Sequence, residues 1–136
     1  MANFTDYFES LIINYMRGTA PAAAGTLKVR LFVGGAPIED DLEAGSYSGH
    51  EVSGGGYASQ TITLDAPSTG PSTTYTNNSA EILWNPASAS WGTVTHFGIT
   101  DASSNLLMWG ALGDPKTVNF GDIFKFPIGS IQIDIG

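Results

Sequence analysis

The hydrophobic period changes once along this chain, and that change restricts the fold. Over residues 3–17, Phe4, Phe8, Leu11, Ile12 and Tyr15 recur at the spacing of one helical face, with Tyr7 and Met16 widening the stripe. Asn3 or Thr5 can cap the start, Asp6 and Glu9 complement the positive end of the dipole, and Arg17 with Gly18 supplies the stop. A small-residue linker around Pro21 fills residues 18–25. Past it the period is two. In Thr26–Val33, Leu27, Val29, Leu31 and Val33 share one face, while Lys28 and Arg30 share the other.

Strand-like segments then follow at short intervals: Tyr57–Leu64, Ala80–Trp84, Thr93–Ile99, Leu106–Leu112, Thr117–Phe120, Ile123–Phe126 and Ser130–Ile135. Turn clusters separate them at Ala66–Thr74, Asn85–Ser90, Asp101–Asn105 and Gly113–Lys116. Residues 34–56 read as a long irregular stretch, and Ser68–Asn78 as the most mobile segment. The expected architecture is mainly β: a single antiparallel β-sandwich or barrel, jelly-roll-like or immunoglobulin-like, preceded by one N-terminal amphipathic α-helix. The 136 residues suit one domain, taken as 1–136.

Composition narrows the function. Five basic residues stand against thirteen acidic ones, a net charge of -8. That balance excludes a nucleic-acid surface, which needs clustered Lys and Arg to displace counterions. With no cysteine there is no disulfide framework, thiolate metal site or cysteine nucleophile. The first ten residues hold Asp6 and Glu9 and no Lys or Arg, so they lack the basic start of a signal peptide. No apolar run approaches the ~18 residues of a membrane helix.

Catalytic patterns are sparse. Gly45-Ser46-Tyr47-Ser48-Gly49 has Tyr47 where a nucleophile elbow needs serine. Gly54-Gly55-Gly56 precedes a strand, not a helix, so it reads as a bent or tightly packed loop and not a phosphate cradle. Glu39, Asp40, Asp41 and Glu43 form the one dense carboxylate cluster. It lacks the spacing of a calcium loop and reads as a solvated acidic surface in a loop. His50-Glu51 has no companion ligands at helical spacing. His96 lies on the strand face opposite Phe97 and reads as a histidine bonded to a neighbouring loop. The expectation is no enzyme, no cofactor and no metal.

Trp84 and Trp109 fall in apolar runs and read as core, whereas Trp91, between Ser90 and Gly92, reads as the partly exposed tryptophan. An exposed tryptophan with neighbouring tyrosines is the kind of face that stacks on sugar rings. Asn77-Asn78-Ser79 matches a glycosylation sequon, a pattern common by chance.

Several stretches resemble a family of small tailed-bacteriophage virion proteins. They are Phe4-Thr5-Asp6-Tyr7 leading to Arg17-Gly18-Thr19-Ala20 and Gly25–Phe32; Glu51–Gln60; Ala89–Ile99; and Lys116–Asn119, Gly121-Asp122, Phe126-Pro127 and the alternating last strand. The resemblance implies a structural virion component. Members are often labelled tail-fibre proteins, and similar small β-proteins serve as capsid decoration, or cement, proteins, typically as trimers. It implies no catalytic residues. Pro37–Ala44 departs from the pattern, placing acids where a neutral, glycine-rich loop is expected.

The resulting expectation is a virion structural protein, a homotrimer on the outer capsid that stabilises the shell by binding only the assembled lattice. The alternative is a tail-fibre or minor tail protein that binds host glycans. Partners are other copies of itself, the major capsid protein or other virion proteins, with no nucleic acid and no membrane. The candidate assembly interface is the helix face Phe4, Tyr7, Phe8, Leu11 and Tyr15 together with His50, Glu51, Gly54, Gly55, Gly56 and Tyr57. The bare glycine backbone in that loop would let another chain approach closely. The rival for the helix is ordinary packing on its own core.

Overall fold

A computed structural model describes residues 3–35 and 38–135. Pro37, the first residue of the acidic departure, lies outside the described residues. The β-alternation folds as expected into an antiparallel sandwich. Its larger layer has five strands: β1 (Asn3–Phe4), β2 (Leu27–Val33), β3 (Gln60–Ile62), β7 (Gly92–Thr100) and β8 (Leu106–Val118), in the order β1-β8-β7-β2-β3. The facing layer combines β4 (Ser68–Thr69), β5 (Thr74–Asn77) and β10 (Gln132–Ile135), ordered β10-β5-β4, with the pair β6 (Ile82–Leu83) and β9 (Lys125–Phe126). All pairings are antiparallel.

Register explains the two faces of the large sheet. Leu31 pairs with Phe97, and Val29 with Ile99, which pairs on with Met108. These side chains point into the main core with Trp84, Trp91, Phe124, Phe126, Ile131 and Ile133. On the other face Arg30 pairs with Gly98, and Phe32 with His96. There Phe32, Leu106 and Trp109 form a second, smaller core with Ile38 and Leu42. Gly98 is what permits this. A Cβ at that position would sit 2.6 Å from Leu106 Cδ1 and 2.7 Å from Phe32 Cε2, so the aromatic ring and the leucine rest directly on bare backbone.

Ile38 and Leu42 belong to α2 (Ile38–Glu43), a second helix. This corrects the reading of residues 34–56 as irregular and of the acids as a loop. The pair at i and i+4 is buried on the sheet, while the carboxylates line the outer side. The N-terminal helix is also shorter than expected. Asn3–Phe4 pairs with Trp109 and Met108 of β8, and α1 runs over Asp6–Met16. Two further corrections concern turns. Thr74–Asn77, placed in the mobile segment, forms a ladder with the last strand. Gly113–Lys116, read as a turn, lies inside β8. Val94 pairs with Lys116 and His96 with Ala111, so residues 112–115 form a bulge opposite Thr95. Pro115 cannot donate to a ladder, and a bulge is where a strand tolerates it.

Candidate functional site

The helix face is the first half of the candidate interface. α1 is fixed at its start by Thr5, which is fully buried. The Thr5 N–H donates to the Leu107 carbonyl at 3.0 Å, its hydroxyl donates to the Leu106 carbonyl at 2.6 Å, and Oγ1 accepts from the Phe8 N–H at 3.3 Å. Phe4 and Phe8 stack edge-to-face at 4.9 Å and pack half-buried on the main core. No residue of α1 is buried, and beyond the first turn only Leu11 and Asn14 are half-buried. Tyr7, Ile12, Ile13, Tyr15 and Met16 are exposed, Tyr15 by 68% and Met16 by 72%. A groove of about 430 Å³ runs beside α1, walled by Phe8, Leu11, Ile12 and Tyr15 on one side and by the linker at Pro21–Ala24 and the turn at Asp101–Asn105 on the other. Packing on its own core therefore accounts for only the first turn. The candidate interface read from the sequence leaves out Ile12, Ile13 and Met16. Their signal was present, since apolar residues surround the second half of the helix instead of keeping to one stripe.

The second half, His50–Tyr57, lies in the chain's own network. Glu51 is bridged to Phe32 of β2, and its carboxylate accepts from Arg30 Nη1 at 3.2 Å and from the Tyr57 hydroxyl at 2.7 Å. Tyr57 in turn accepts from the Leu31 N–H at 3.0 Å. Arg30 also donates to Thr100 Oγ1 and lies 5.3 Å above the Tyr47 ring. Gly54, Gly55 and Gly56 all have positive φ. The close approach over Gly55 is made by Trp91 of the same chain. Its Nε1 donates to the Gly55 carbonyl at 2.9 Å, and a Cβ on Gly55 would stand 2.7 Å from its ring.

The acids of α2 complete the network. Glu39 meets His96 Nε2 at 3.0 Å, Asp41 meets His50 Nε2 at 2.8 Å, and Glu43 accepts from Trp109 Nε1 at 2.9 Å. Glu39 and Glu43 thus hold α2 on the sheet through the ring nitrogens of His96 and Trp109, and Asp41 ties it to His50 in the turn that follows, which corrects their reading as a purely solvated surface. His96 finds its partner on this helix and not on a loop. Thr95, His96 and Glu39 stand in the order of a hydrolase triad, but Thr95 Oγ1 is bonded to the Gly34 carbonyl as well as to His96 Nδ1. That hydroxyl is tied to the backbone instead of being presented to a cleft.

A family model described as Podophage GP4 fiber I protein gp80 matches residues 3–134. The chain belongs to that family. It is accordingly a structural component of a phage virion. Among curated proteins none matches it significantly.

Trp91, expected to be partly exposed, is 5% exposed and stacks edge-to-face with Tyr57 at 5.5 Å. Its neighbour Gly92 lets the chain turn inward, so the route to glycan binding through Trp91 is removed. Trp84 and Trp109 are buried as expected. The metal-compatible grouping among the described residues is Asp6, Glu9 and Glu43, whose carboxylate oxygens lie within 4.8 Å of one another. Glu43 already serves Trp109, and Asp6 and Glu9 are exposed. No helix among the described residues is long and apolar enough to cross a membrane.

Tyr57 gives this network a pH signature. Burial pushes its phenol above the ordinary range, and the neighbouring Glu51 carboxylate adds to that, opposed by the Leu31 N–H. The folded state therefore keeps a proton that the unfolded chain releases near pH ~10. Stability is fully present below that value and falls as pH rises past it, because the folded state then binds more protons. Tyr57→Phe is expected to cost about 1–2 kcal/mol at pH 7 through the lost hydrogen bonds and to flatten the alkaline decline. Urea midpoints from pH 7 to 11 check this; an unchanged alkaline slope in the variant contradicts it.

Proposed function

We propose that this protein is a structural subunit of a virion fibre and is joined to neighbouring subunits through the exposed face of α1, with the sandwich as the rigid body that carries it. The observation behind this reading is the state of α1: an eleven-residue helix with no buried residue and five exposed large apolar side chains. Monomeric proteins seldom leave contiguous apolar area uncovered, and aromatic residues and methionine are enriched where proteins meet. The partners in this reading are other copies of the chain, the major capsid protein or other virion proteins, with neither nucleic acid nor membrane involved. The role is non-catalytic, supported by the engagement of both histidines in holding α2. The family's description favours a fibre over the capsid-decoration role that the sequence resemblance also allowed.

Labelling a tagged copy in intact virions and imaging by electron microscopy tests the assignment. Label on the fibres is expected. Label spread evenly over the capsid, with loss of heat resistance when the protein is missing, overturns it in favour of decoration. A Tyr15→Asp, Met16→Lys variant is expected to fold normally by circular dichroism yet to be lost from purified virions.

A further inference from the structure

We propose that the open side of the sandwich takes up an extended segment of a different virion protein, which adds a strand beside β9 and β10; the proposal stands apart from the reading of α1. The support begins with the ladder of the facing layer. β5 pairs with β10, and β6 with β9. The Trp84 N–H donates to the Phe124 carbonyl at 3.0 Å, and the Ala87 N–H donates to the Asp122 carbonyl at 2.9 Å. Residues 74–87 and 122–135 therefore run side by side as one interrupted antiparallel pair. The far side of 122–135 meets no strand among the described residues, and neither does the outer side of β8 from Gly110 onward. A cleft of about 810 Å³ lies between these two edges, lined by β8 from Ala111 to Val118 and by residues between Asp122 and Gln132. Its floor is the main core itself: Phe97, Phe124, Phe126 and Ile131. The opposite side of the sandwich is closed. There Leu64 is bridged to Asn78, and the Ser79 N–H donates to the Thr63 carbonyl at 2.9 Å.

Of the two free edges, one is fit to accept a strand. Residues 112–115 of β8 are bulged, and Pro115 has no N–H to offer. In the facing layer the proline, Pro127, falls in the interruption between β9 and β10, so both strands keep their donors. The cleft also selects the segment. Side chains of an added strand alternate, and those turned inward would lie on Phe97, Phe124 and Phe126, which suits apolar residues. Those at the rim would meet Lys116 on one wall and Lys125 on the other. These are two of only five basic residues in a chain of net charge -8. Lys116 forms no ion pair among the described residues, and Lys125 reaches Glu81 only at 3.8 Å. Of the carboxylates at the cleft, Asp122 is turned into its own loop, accepting from the Asn119 N–H at 2.8 Å, and Asp114 stands exposed on the bulge. The complementary occupant is a segment that alternates apolar and acidic residues. This chain's own strand of that pattern, Gln132–Ile135, is committed to β5, so the segment belongs to a different protein.

Photo-crosslinking in intact virions tests this. Ile123 lines the cleft and is 58% exposed, so Ile123→p-benzoylphenylalanine places the probe at the rim, with circular dichroism to confirm folding. Irradiation followed by mass spectrometry is expected to yield a peptide of another virion protein with alternating apolar residues and at least one Asp or Glu. Made synthetically, that peptide should bind the purified full-length protein and slow amide hydrogen exchange along residues 123–133 about tenfold. It should bind about tenfold more weakly to the Lys116→Glu, Lys125→Glu variant. A cross-link to a second copy of this chain overturns the proposal, as does the absence of any cross-link from Ile123 and from the same probe at Gln132. A peptide that fails to bind, leaves exchange along 123–133 unchanged or binds the charge-reversed variant equally well also overturns it. The same probe at Tyr15 reports on α1 separately, so failure at the cleft leaves the reading of α1 standing, and failure at Tyr15 leaves the cleft standing.

Discussion

Trp84→Ala is expected to remove about 3–5 kcal/mol of stability, a large part of what a domain of this size possesses. Trp84 is 1% exposed and lies edge-on to Phe124 at 5.4 Å and to Phe126 at 5.9 Å. Its Nε1 donates to the Ala58 carbonyl at 2.8 Å. Truncation leaves a void between the two sheets that this rigid ring cluster closes only in part, and it strands a carbonyl in the chain leading to β3. Trp84→Phe keeps much of the volume but loses the hydrogen bond, so it should fall between the two. Chemical denaturation monitored by circular dichroism measures both, and a loss below about 1.5 kcal/mol for the alanine variant contradicts the central role given to this ring.

Gly55→Ala is the second large effect, and it comes from a single methyl group. Gly55 has φ +61°, a conformation that costs an ordinary residue about 1–2 kcal/mol. The added Cβ would lie 2.7 and 2.8 Å from the Trp91 ring and 2.8 Å from the Ala89 carbonyl oxygen. Relief requires the tryptophan to leave its place, breaking the bond from Nε1 to the Gly55 carbonyl and its contact with Tyr57. Conformational strain and overpacking together should cost on the order of 3 kcal/mol. The same change at Gly54, whose Cβ would meet nothing within 4 Å, should carry the conformational cost alone. Equal destabilisation at the two positions contradicts the close-approach account. Trp91 fluorescence in Gly55→Ala should shift toward that of a solvated indole.

Which elements were legible follows from how much signal each carries. β2 and β10 were plain, because an unbroken alternation over six or seven residues has few other interpretations. Thr5 was legible as a cap. That Asn3–Phe4 forms a strand was not, since two residues carry no period and their apolar member also fits the helical stripe. α2 was missed because it is six residues long and four of them are acids; Ile38 and Leu42 were its whole apolar signal. The Gly-Asp-Pro run in β8 has the composition of a turn, and only the register against β7 shows a bulge. At the candidate interface the helical stripe was visible, but its exposure depends on how far α1 departs from β8, which is a tertiary fact. For the triglycine, sequence identified a backbone open to close approach. It could not show that the approaching group, Trp91, comes from the same chain 36 residues on.

The bulge in β8 bears on how such subunits can and cannot polymerise. β1 covers only Met108 and Trp109 on the outer side of β8, so from Gly110 onward no described strand pairs with that edge. A long bare edge is a template for strand-by-strand growth of the cross-β kind. Here the four bulged residues break the ladder's repeat, Pro115 withholds a donor, and Lys116 would be stacked against its own copies. The edge is open in space and closed to templating. Subunits of this shape can therefore be crowded at high local concentration while their contacts remain those of folded surfaces.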